Sequence, residues 1–184
     1  PQYKDVWLPM MDLMRTEGAP VDLRAESVPE DARRDPVLFG SALRLEGYKG
    51  PTQLHVGQAG TLRTYWSLAR PCQTDYYASV RFEDQDGYYA FVRNLPVWDH
   101  SHYIGSIQRT SSWQPGVMMR EEYDLIVPWR VAPGCYTVRL QVYADDSRHG
   151  PALPPVGGDG ETEGLALGAI EVLPRTQRPV LRAR

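Results

Sequence analysis

Lysine is nearly missing from this chain: Lys4 and Lys49 are the only two among 184 residues, while arginine is plentiful. The net charge of -3 is small and mixed in sign, so bulk electrostatics exclude the basic footprint of a nucleic-acid binder or a membrane-surface protein. No apolar run approaches the roughly 18–20 residues that cross a bilayer as a helix. There is no Gly-x-Ser-x-Gly, which excludes that nucleophile elbow. Gly157-Gly158-Asp159-Gly160 has no helical pattern after it, so it is not a phosphate-cradling loop. Cys72 and Cys135 are the only cysteines, and neither has a neighbour pattern that would activate a thiolate. Helical periodicity is almost absent as well.

What the chain does have is alternation. The most informative stretch runs from Trp113 to Tyr143. In its first half Tyr123, Leu125 and Val127 alternate with polar positions, the period-2 pattern of a half-buried strand, and Pro128, which has no N–H, ends it. Pro133-Gly134 supplies a turn. Beyond it Tyr136, Val138, Leu140 and Val142 form one face, with Thr137, Arg139 and Gln141 on the other. The two strands are expected to form one wall of an antiparallel β-sandwich. Further strands are expected from Phe39 through Leu45, at Gln53–Val56, Thr61–Leu68, Tyr76–Glu83, Tyr88–Val92, Tyr103–Ile107 and Leu165–Val172. Asp86-Gly87 reads as the tight turn of a hairpin joining the fourth and fifth of these. Residues 144–163, rich in Gly, Pro and Asp, read as a surface loop.

Short, regularly spaced strands separated by turn signals give an all-β fold, an immunoglobulin-like or jelly-roll-like antiparallel sandwich over residues 39–173. Residues 1–38 read as an extended arm, because Gly18, Pro20, Pro29 and Pro36 lie among many charges. Residues 174–184 read as a short basic tail. The chain begins at Pro1 rather than at methionine, which leaves three readings open: a removed signal peptide, a removed anchor, or a start chosen within a longer sequence.

The order of the short motifs carries a resemblance. Leu45-Glu46-Gly47-Tyr48, Tyr65-Trp66, the run from Asp75 to Phe82, Trp113-Gln114-Pro115-Gly116, the run from Tyr123 to Pro128, the run from Ala132 to Val138, and Val142-Tyr143 follow one another along the chain. In this the sequence resembles the soluble β-sandwich found C-terminal to the membrane spans of many bacterial dolichyl-phosphate-mannose-type glycosyltransferases. The shared motifs are turns and core aromatics. The chain lacks that family's membrane spans and catalytic acidic loop, so the resemblance implies the sandwich and an extracytoplasmic setting, not glycosyl transfer. The Pro-Gly-x-Tyr segment ending at Tyr136 resembles the tyrosine corner of immunoglobulin-like sheets.

Four groups of residues are candidates for function. His100 and His102, two apart on a strand, would point the same way and could share a metal; the Glu that a cupin places after such a pair is not there. Tyr88, Tyr89, Trp98, Tyr103 and Trp129, if exposed and coplanar, would form a platform for sugar rings, whereas Trp113 beside Pro115-Gly116 reads as structural. Cys72 and Cys135 are either two buried thiols or one disulfide in an oxidising compartment. Both are expected at one end of the sandwich, and the bridge is the prediction. The arm carries large apolar side chains with too little local sequence to bury them: either it folds back on its own sandwich, or Trp7, Leu8, Met10, Met11, Leu13 and Met14, with Arg175, Arg178, Arg182 and Arg184 of the tail, form a partner-binding set. Glu83, Asp84 and Asp86 read as a hairpin turn rather than a calcium loop.

These readings predict a non-catalytic accessory subunit. It would dock through its arms onto protein subunits of a larger extracytoplasmic or membrane-associated assembly, such as a respiratory or photosynthetic complex or a surface filament. The basic tail would also suit anionic lipid headgroups. A carbohydrate-binding sandwich and a metal-dependent jelly-roll enzyme are the alternatives. No cofactor and no nucleic acid are expected.

Overall fold

The structure, a computed structural model, describes residues 23–87, 91–92, 95–96, 99–105, 108–144, 152–156 and 164–175. The strands are β1 (Val37–Phe39), β2 (Leu43–Lys49), β3 (Gln53–His55), β4 (Ala59–Leu68), β5 (Tyr76–Glu83), β6 (Phe91–Val92), β7 (Leu95–Pro96), β8 (Asp99–Tyr103), β9 (Met119–Ile126), β10 (Gly134–Ala144) and β11 (Leu165–Leu173). A single 3-10 turn, Thr110–Ser112, is the only helical element among the described residues. No helix of the described residues is long and apolar enough to cross a membrane.

Two sheets face each other. One has the order β1-β2-β4-β9, the other β3-β11-β10-β5-β8, and β6 and β7 form a separate ribbon. All pairings are antiparallel except β3 with β11. The core between the sheets is built by the alternation visible in the sequence. Leu62, Thr64, Trp66 and Leu68 of β4 face Ala78, Val80 and Phe82 of β5 and Val138, Leu140 and Val142 of β10. Thr64 sits in this core because its Oγ1 accepts a hydrogen bond from Trp66 Nε1 at 2.7 Å, which satisfies a polar group that would otherwise be costly to bury. The Tyr123 hydroxyl lies against the same threonine, and burial pushes its pKa well above the usual tyrosine value.

Three expectations are corrected by the tertiary arrangement. The two strands of the 113–143 stretch do not form one wall: β9 belongs to the four-stranded sheet and β10 to the five-stranded one. Pro128, Trp129 and the turn that follows therefore cross between the sheets. The neighbour of β5 is β8, with Val80 opposite His100. Of the expected hairpin return at Tyr88–Val92, residues 88–90 lie outside the described residues, and Phe91–Val92 pairs with Leu95–Pro96; the described strand near the one expected at Tyr103–Ile107 is Asp99–Tyr103, with residues 106–107 outside the described residues.

Cys72 and Cys135 are free thiols, against the expected bridge. The register explains why. Thr137 of β10 opposes Glu83, the last residue of β5, and Ala144 opposes Tyr76, the first. Cys135 is therefore at the Glu83 end of β5, and Cys72, just before Tyr76, is at the other end. Eight residues of strand span about 25 Å, whereas a disulfide needs Cα atoms within roughly 7 Å.

The boundary expected at residue 38 also moves. β1 runs across it, and residues 23–36 form a strap over the outer face of the four-stranded sheet. The strap starts on the edge of β9, where Arg24 pairs with Met119 and Arg120 N–H donates to Leu23 O at 2.6 Å. It ends beside β2, where Arg33 and Tyr48 exchange backbone hydrogen bonds of 2.8 and 3.0 Å. Between these anchors Val28 and Ala32 bury the outward ring of Tyr65. Gly47 makes the crossing possible: a Cβ there would lie 2.6 Å from Arg33 O and 2.9 Å from Val28 Cγ1. Lys49 pairs with Asp31 of the strap and lowers its carboxyl pKa.

Candidate functional site

The end of the sandwich where β9 crosses to β10 carries two of the three exposed large apolar side chains among the described residues, the third being Val156. Trp129 is 72 % exposed and Ile126, the last residue of β9, is 57 % exposed. The turn that presents Trp129 is firmly tied. Val127 N–H donates to Gln58 O at 3.0 Å, Gly57 N–H donates to Val127 O at 2.9 Å, and Val131 N–H donates to Pro128 O at 3.0 Å. Tyr136 closes it from β10, its hydroxyl donating to Ala132 O at 2.9 Å, the tyrosine-corner contact expected from the Pro-Gly-x-Tyr segment. Burial raises the pKa of that phenol. The Arg130 guanidinium lies over the Trp129 ring, 4.4 Å from its centroid, a cation–π contact that orients the indole. The chain leaves β11 at this same end. Val56 N–H donates to Leu173 O at 2.9 Å, and the Pro174 carbonyl is hydrogen-bonded to His55 Nδ1 at 2.7 Å.

The chain is similar in fold to the C-terminal domain of wzt. The match covers 85% of this chain and 88% of that one, at 9% sequence identity and a TM-score of 0.44. A CARDB domain from Pyrococcus furiosus, solved in complex with di-metal ions, covers 70% of this chain at 11% identity and a TM-score of 0.39, with 90% of its own length matched. A scan of protein-family models finds no match, and neither does a search of the curated proteins. These likenesses bear on the sandwich alone.

The sequence-predicted sites distribute unevenly over this frame. Of the platform set, Trp129 is the exposed ring just described, and Tyr103 is the last residue of β8, opposite Tyr77. Tyr88, Tyr89 and Trp98 lie outside the described residues, as do Trp7, Leu8, Met10, Met11, Leu13 and Met14 of the arm and Arg178, Arg182 and Arg184 of the tail. Trp113 is structural, as expected: it is buried and its Nε1 donates to Gln108 O at 2.6 Å. His100 and His102 sit two apart on β8, opposite Val80 and Ala78. Among the described residues no three His, Cys, Asp or Glu side chains come together as a metal-ligand group.

Two features escaped the sequence reading. The first is a polar and aromatic cluster on the outer face of β5 and β10. Tyr143 hydroxyl donates to Gln141 Oε1 at 3.0 Å, Arg81 Nε donates to Ser79 Oγ at 3.1 Å, and the Tyr77 and Tyr143 rings meet at 6.5 Å. Gln141 is completely buried although it lies on the face the alternation assigns to solvent. The available signal was that Tyr77 and Tyr143, large aromatic residues, fall on the outward positions of their strands. The second is a cleft of about 280 Å³ between the sheets, floored by Leu62, Leu125, Val138 and Leu167 and rimmed by Asp31, Arg33, Tyr48 and Lys49. It opens where the β10–β11 register shifts between Val138 and Arg139, opposite Gly168 and Ala166, and no sequence pattern marks such a shift.

Proposed function

We propose that the chain is a non-catalytic docking module. Its sandwich holds an exposed end and two arms against protein subunits of a larger extracytoplasmic or membrane-associated assembly. The observation that carries the reading is Trp129: a large indole, 72 % exposed, oriented by Arg130 on a turn fixed from both sheets. Tryptophan and arginine concentrate interface energy; tryptophan does so because it buries a large area with only about two rotatable side-chain bonds, so its indole loses little entropy on docking. Ile126 extends the apolar patch. The arm upstream of the strap, with Trp7 and its methionines, supplies a second contact. The sequence resemblance to sandwiches attached to membrane glycosyltransferases supports the extracytoplasmic setting and a role as an appendage to larger machinery.

The test is native mass measurement of the chain purified from its source, with Trp129→Ala and Arg130→Ala in parallel. Co-purifying subunits that are lost with Trp129→Ala are expected; a lone monomer overturns the reading. Exposure of the Trp129 ring also suits a sugar-stacking role. Affinity electrophoresis in polysaccharide gels separates the two: retardation that Trp129→Ala abolishes would favour carbohydrate, and none is expected.

A further inference from the structure

We draw no further inference here: the strongest candidate, the cleft of about 280 Å³ between the two sheets, floored by Leu62, Leu125, Val138 and Leu167, carries nothing, since its rim cations Lys49 and Arg33 are already paired with Asp31 and Asp35 and nothing in the structure shows what covers it.

Discussion

Leu140 is completely buried at the centre of β10, between β11 and β5. Leu140→Ala removes a fully buried aliphatic side chain from the core and is expected to cost about 2–5 kcal/mol; urea titration measures it, and a loss below about 0.5 kcal/mol would be incompatible with this packing. The inward set Tyr136, Val138, Leu140 and Val142 was legible because side chains alternate across a strand. The burial of Gln141 and Tyr143 on the opposite face was not. Alternation says which residues share a face, not whether that face is wet, and the contacts of Tyr143 with Gln141 and Tyr77 exist only once β5 and β10 are paired. The cysteines show the same limit. Their separation depends on which end of β5 each one meets, a property of register.

At the scale of elements, the strap is the main departure from expectation. Its residues are rich in charge and proline, so they read as an arm, yet Val28 and Ala32 find an apolar surface in the outward ring of Tyr65. The crossing needs a residue without a side chain at Gly47. Gly47→Ala is expected to push the Arg33 carbonyl and Val28 outward and destabilise the chain by about 1–3 kcal/mol. Thermal melting checks it, together with faster hydrogen exchange at Arg33 and Tyr48, the two amides that tie strap to β2. β9 and β10 were found at close to their true limits, because Pro128 and Pro133-Gly134 punctuate them. Their assignment to one sheet was wrong because a seven-residue connection serves a crossover between sheets as readily as a hairpin.

For the whole molecule, the strap separates folding from docking. Removing residues 1–22 is expected to leave the melting temperature nearly unchanged while abolishing co-purification with partner subunits. Removing residues 1–38 also strips β1 and uncovers Tyr65, and should lower the melting temperature by more than about 5 °C. Differential scanning calorimetry and pull-down of both truncations check this. Equal melting temperatures for the two would show that the strap adds nothing to the fold.

The sequence by itself determined the strand-forming segments, their inward faces, the tyrosine corner at Tyr136 and the structural role of Trp113. Each of these depends on residues within a few positions of one another: period-2 alternation, a proline that cannot donate, a glycine in a turn. Only the tertiary structure decided which sheet each strand joins, that residues 23–36 lie over Tyr65, that Cys72 and Cys135 sit at opposite ends of β5, and that β9 ends a sheet with Glu122, Asp124 and Ile126 facing outward. Those outcomes are set by pairings between strands far apart in the chain. The free energy of such pairings comes from mutual burial, and no single segment carries it.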